Sequence, residues 1–106
     1  MIYIANAFSL QMLTKMYLPA AVTVEEVTPE AVHAALAGEY LSAIGHVDTA
    51  AVVSKMVGRG IPANRFSIDL APGDVLFVAQ VVGGRLPEGA TTLPEGVSIV
   101  FYKVTV

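Results

Sequence analysis

Apolar and polar positions recur along this chain with a period that changes from segment to segment, and each change marks an element. Met1 to Ala5 is an apolar run of strand length. From Ser9 to Met16 the spacing becomes helical: Leu10 and Leu13 share a face, Met12 and Met16 lie beside it, Ser9 is a natural cap and Pro19 closes the segment. Ala21 to Val27 returns to a half-buried strand pattern. Thr28-Pro29-Glu30 then starts a helix, with a cap residue, a proline at the first helical position and an acidic first turn, and this helix is expected to end near Gly38. Tyr40 to Ile44 predicts another strand. A helix from about Asp48 to Val57 follows, placing Val52, Val53, Met56 and Val57 on one side and ending at Gly58. Phe66 to Leu70 and Val75 to Val82 flank Ala71-Pro72-Gly73-Asp74, which reads as a turn between antiparallel strands. Val97 to Val106, rich in β-branched and aromatic residues, predicts the last strand.

Strands and helices interleaved in this way imply an α/β fold: one domain, residues 1–106, with a mixed sheet of about five strands flanked by about three helices. Gly83 to Gly96 is a long connection for so short a chain, and such loops tend to carry function. Within it Leu86-Pro87-Glu88-Gly89 recurs as Leu93-Pro94-Glu95-Gly96, which reads as a duplicated turn rather than a structural repeat.

Composition narrows the functional classes. Hydrophobic residues make up 55% of the 106 and charged residues 14%, so apolar surface is left over that an assembly would cover, and a homodimer or larger is expected. No apolar run approaches the ~20 residues of a membrane helix, and Met1-Ile2-Tyr3-Ile4 lacks a basic leader. Cysteine is absent, which removes disulfides, thiolate metal sites and thiol catalysis, and the expected location is the cytoplasm, the host's if a virus encodes the chain. The net charge is −3, and the six cations (Lys15, Lys55, Arg59, Arg65, Arg85, Lys103) form no basic run, which argues against tracking along duplex DNA.

The candidate chemistry lies where strands give way to helices. His46 stands at such a junction, in Ile44-Gly45-His46-Val47-Asp48-Thr49, where unsatisfied N–H groups of a helix N-terminus can hold an anion and an imidazole can give it a proton. Arg85 follows Gly83-Gly84. Its planar guanidinium can grip two phosphate oxygens and stabilise charge building on them. Glu88 lies three residues further; a carboxylate against an imidazole favours its protonated form and fixes its orientation, and Glu95 is chemically equivalent. Arg65 is either a phosphate ligand or a sheet-edge ion-pair partner. His33, among helical alanines, reads as a surface or rim residue. Two histidines so differently placed make a poor metal set, so no metal and no cofactor is expected.

In order, Asn6-Ala7-Phe8-Ser9-Leu10-Gln11-Met12-Leu13, Ala43-Ile44-Gly45-His46 with Thr49, Asn64-Arg65, Arg85-Leu86-Pro87-Glu88-Gly89 and Phe101-Tyr102 resemble the viral type III anti-CRISPR ring nuclease family over nearly the whole chain. The resemblance implies a small α/β homodimer that cleaves cyclic tetra-adenylate without a metal, giving di-adenylate with a 2′,3′-cyclic phosphate and silencing the CRISPR signal. It implies His46 as general acid, Arg85 as the phosphate contact, Glu88 as the histidine's partner, and Asn6, Ser9, Thr49, Arg65 and Gln80 as ligand-binding residues. The chain departs from the family pattern in one extra residue between Gln80 and Arg85, and in Asp48, which stands where a small hydroxyl residue is usual. A carboxylate there would oppose a phosphate unless it pointed away as a helix cap. The rival expectation is a non-catalytic regulator that binds cyclic oligoadenylate or a protein.

Overall fold

The computed structural model describes residues 1–106. Its seven regular elements are β1 (Ile2–Ala5), β2 (Thr23–Val27), α1 (Pro29–Ala35), β3 (Leu41–Ser42), α2 (Val47–Val57), β4 (Val75–Val82) and β5 (Ser98–Thr105), with a 3-10 turn at Leu10–Leu13. All five strands join one mixed sheet in the order β2-β5-β4-β1-β3. β1 pairs in parallel with both β3 and β4, whereas β5 is antiparallel to both β4 and β2. The α/β single-domain expectation therefore holds, with two α-helices and a 3-10 turn where about three helices were expected.

Local signals explain the helix ends. Thr28 caps α1 by accepting a hydrogen bond from Ala31 N at 3.1 Å, and Pro29 occupies the first turn, where its missing N–H costs nothing. α2 ends on Gly58 at φ 76°, a left-handed conformation that glycine adopts without Cβ strain. α1 stops at Ala35, short of the expected Gly38, with its last carbonyls taken up by Leu36 and Ala37. The Ser9–Met16 segment tightens into the 3-10 turn, because only Leu13 in it is fully buried and little apolar area draws out further helical turns.

Period-two alternation places a core on each side of the sheet. Phe77, Ala79, Ile99 and Phe101 point to the helical side and pack with Val32, Leu36, Val52, Val53 and Val57. Leu76, Val78 and Val104 point the other way, onto Leu13, Ile68 and Leu70. This double coverage explains why Val75 to Ala79 is continuously apolar.

One expected strand is not there. Phe66 to Leu70 forms no ladder, because both edges of β4 are already taken, by β1 and by β5. The segment instead crosses the second face, with Ile68 and Leu70 buried in that core and Leu70 N bonded to Met12 O at 2.8 Å. The turn beside it forms as its residues dictate: Asp74 N donates to Ala71 O at 3.0 Å and Ala71 N to Asp74 Oδ2 at 2.9 Å.

Candidate functional site

Three parallel strands, β4, β1 and β3 in spatial order, deliver their carboxyl ends to one edge of the sheet. The chain leaves β1 to one side toward β3 and later crosses to β4 on the other, so a crevice opens at this edge, the usual ligand position in open α/β sheets. Asn6 follows β1, Gly45-His46 follow β3, and Gly83 to Glu88 follow β4.

His46 is the N-cap residue of α2, in extended conformation at φ −115° and ψ 130°, and its imidazole makes no capping bond. The ring is solvent-exposed while its backbone is fixed by the helix behind it. A cleft of about 550 Å³ opens beside it, lined by Asp48, Thr49, Arg85 and Glu88 among others. Sequence residues 36 or more apart are thus brought together by the fold: the first turn of α2 forms one wall and the start of the Gly83–Gly96 loop the other. Thr49 is buried at 7% exposure, whereas Arg85 and Glu88 are exposed. Neither arginine of the site, Arg85 or Arg65, is in an ion pair; the two ion pairs of the molecule join Met1 to Asp74 and Lys15 to Asp69.

The loop wall is held by its own turns and by α2. In each copy of the Leu-Pro-Glu-Gly repeat the proline carbonyl accepts from the residue three on, Ala90 N and Val97 N, both at 3.1 Å, and the glycine has positive φ, 77° at Gly89 and 79° at Gly96. Leu86 and Leu93 both pack against the main core. The duplicated turn is therefore two copies of one local structure. Tertiary placement separates the copies: Glu88 lines the cleft and Glu95 does not. Two contacts tie the loop to α2, Gly89 N to Asp48 Oδ2 at 2.8 Å and Lys55 Nζ to Thr91 O at 3.3 Å.

Asp48 is thus not the helix cap that would remove it from the site. His46 holds the cap position, and the Asp48 carboxylate accepts a backbone N–H of the loop. The sequence showed the acceptor; its donor, 41 residues away, was not legible.

Arg65 lies beside the β3 exit and does not line the cleft. Asn64 binds along the β3 exit, its N donating to Ile44 O and its Nδ2 to Ser42 O, both at 2.8 Å, and Ser42 Oγ donates to Pro62 O at 2.7 Å. This lacing lays the Arg65 stem against Gly45, where a Cβ would stand 3.5 Å from Arg65 Cγ. The sheet-edge ion pair is not formed: neither of the two ion pairs of the molecule includes Arg65.

Four expected ligand residues, Arg65 among them, do not line the cleft. Asn6 is half-buried at the β1 exit. Ser9 lines a second cleft of about 450 Å³ with Gln11, Met12, Thr14, Phe66 and Asp69. Beside it Tyr3 stacks on Phe66 at 6.4 Å, and burial first, then Asp74 and Asp69, pushes the Tyr3 phenol above its ordinary 10.0. Gln80 is exposed on β4, in register with Val100 and one residue from Val81, which lines the His46 cleft; alternation turns Gln80 to the opposite face. His33 is a surface residue as expected, and its ring also links the two helices, Nδ1 lying 2.9 Å from Val57 O at the end of α2. No three His, Asp or Glu side chains are gathered as a metal site would require, and no helix is long and apolar enough to cross a membrane.

A family model described as STIV B116-like matches residues 2–103. Among solved structures the chain is similar to B116 of Sulfolobus turreted icosahedral virus (STIV), at 25% sequence identity and a TM-score of 0.81, over 99% of this chain and 98% of that one. No curated protein matches.

Proposed function

The chain belongs to the STIV B116-like family, and from that premise and the geometry of its cleft we propose that it is a metal-independent ring nuclease that cleaves cyclic tetra-adenylate and so ends type III CRISPR signalling. The observation that carries the reading is the meeting of His46, Arg85 and Glu88 around one cleft at the carboxyl edge of the parallel strands. That constellation suits acid catalysis on a phosphodiester whose nucleophile belongs to the substrate, which is why no serine, cysteine or metal set is called for.

In the proposed step a ribose 2′-hydroxyl attacks the neighbouring phosphorus and gives up its proton to solvent water, the bond to the 5′-oxygen breaks, and His46 gives that oxygen a proton. The product ends in a 2′,3′-cyclic phosphate. Arg85 takes the charge that develops on the non-bridging oxygens, and Glu88 holds the imidazole protonated and aligned. Thr49, with the N–H groups of the first turn of α2, receives the phosphate before reaction. Asn6, Ser9, Arg65 and Gln80 contact the remainder of the ring. None of the four lines the His46 cleft, Ser9 opening onto the second cleft and Gln80 facing the opposite side of the sheet, so their contact requires a ligand that extends beyond this one cleft.

A volume of about 550 Å³ fits a small-molecule site of roughly 300–1,000 Å³, enough for one dinucleotide step and not for a four-nucleotide ring. A homodimer resolves the mismatch: two copies of the cleft, related by a two-fold axis, meet opposite phosphates of one ring, and two cuts release two di-adenylates. Apolar surface is available for that contact between Leu10 and Leu18, where Leu10, Tyr17 and Leu18 are exposed.

The test is chromatography with mass detection after excess protein meets cyclic tetra-adenylate in EDTA, with His46→Ala in parallel. Di-adenylate 2′,3′-cyclic phosphate is expected from wild type, with a rate loss of about 10²–10⁴ in the variant and retained ring binding. A ring left intact by folded wild type would overturn the nuclease reading in favour of a non-catalytic binder.

A further inference from the structure

We infer that Asp48 is a positioning residue for the reaction: through Gly89 N it holds the Gly83–Gly96 loop so that Arg85 and Glu88 stand over His46. The inference rests on the nuclease reading for its catalytic consequence, and on the structure alone for the tether.

Three observations converge. The 2.8 Å bond from Gly89 N to Asp48 Oδ2 spans 41 residues and joins the two walls of the cleft. Asp48 lies two residues after His46 and Gly89 one residue after Glu88, so the bond fixes the distance between the histidine and its carboxylate partner. The loop is also anchored at its base, where Gly83 and Gly96 are packed so closely that a Cβ on Gly83 would overlap Gly96 O. Between that base and the Asp48 bond lie Gly84, Arg85, Leu86, Pro87 and Glu88; the half-buried Leu86 side chain packs against the core. The arm carrying Arg85 and Glu88 is thereby fixed at its base, at Leu86 and at its tip. Lys55 holds Thr91 further along and does not touch this arm.

The bond also answers the charge problem. A carboxylate at the mouth of an anion site repels its ligand, but here it sits in the first turn of α2, where the helix dipole favours it, and accepts a hydrogen bond from the loop. The pull of the helix end on the carboxylate is thus turned into a pull on the loop.

Asp48→Ala and Asp48→Asn separate the roles, because asparagine keeps an acceptor for Gly89 N and alanine does not. Two readouts are needed: turnover of cyclic tetra-adenylate, with kcat and KM resolved, and hydrogen exchange at the Gly89 amide. In Asp48→Ala, Gly89 loses its protection and kcat falls about tenfold, the scale of one hydrogen bond to a charged acceptor. Asp48→Asn restores Gly89 protection and brings kcat to within about threefold of wild type. Unchanged Gly89 protection in Asp48→Ala would overturn the tether. Lost protection with unchanged kcat would overturn the positioning role, as would an Asp48→Asn variant as slow as Asp48→Ala with Gly89 protected. Were wild type itself unable to cleave the ring, the nuclease reading would fail, and with it the catalytic half of this inference. Gly89 exchange would still decide the tether.

Discussion

Glu88 and Glu95 occupy the same place in identical tetrapeptides, form the same local turn, and differ only in what the fold sets against them. Glu88 faces the cleft of His46 and Arg85, while Gly96, after Glu95, abuts Gly83 at the base of the loop. Glu88→Gln is therefore expected to lower the cleavage rate about tenfold to a hundredfold, because the amide can hold the imidazole but cannot stabilise its charge. Glu95→Gln should remain within about twofold. Paired rate measurements check this, and equal effects would detach Glu88 from the histidine. At this scale His46, Arg85 and Glu88 could be singled out as candidates because each lies beside a glycine or at a helix start, where side chains are freed for ligands, and the structure places all three around one cleft. The side of β4 on which Gln80 lies also followed from alternation, once Val81 was seen to line the cleft. What could not be read was the partner of a given polar atom. The Asp48 carboxylate, the Arg65 guanidinium outside both ion pairs and the bond of His33 to Val57 O are all settled by residues distant in sequence.

At the scale of elements the start of α1 and the end of α2 were legible because caps act within four residues, whereas the end of α1 and the Ser9–Met16 segment were not. Thr28, Pro29 and Gly58 do what their chemistry requires. Phe66 to Leu70 shows the limit: its composition suits a strand, but a strand also needs a free neighbouring edge, and sequence does not count edges. The Gly83–Gly96 loop is an element in its own right, and its base makes a separate prediction. Gly83 has φ 90°, and a Cβ there would run into Gly96 O, so Gly83→Ala should cost about 1–3 kcal/mol in urea unfolding. Gly38, with open space around its Cβ position and no positive φ, should accept alanine within about 0.5 kcal/mol. Equal costs at the two positions would mean that the loop base is not packed as described.

Over the whole molecule, the parallel pairing of β1 with β3 and β4 brings the ends of three strands to one edge, and β5, antiparallel to both β4 and β2, completes the sheet, so that β2 runs in the same sense as β4. The cleft so formed belongs to one protomer, and the proposed ring needs two. Sedimentation should find a mass near twice 11.1 kDa, and Leu18→Asp, which puts a charge into the exposed apolar segment, should shift it toward the single chain. A wild-type monomer that still cuts the ring twice would remove the two-fold argument. The amino-acid sequence by itself determined the α/β alternation, the start of α1 at Thr28-Pro29, the end of α2 at Gly58, the Ala71–Asp74 turn and the kinds of side chain available, because periodicity, capping and turn propensity act over a few residues. Only the tertiary structure decided that Phe66 to Leu70 is not a strand, that Glu88 and not Glu95 lines the cleft with His46, and that Asp48 binds the loop. Each of those outcomes depends on which distant segments share a space, and that is set by the packing of the chain as a whole.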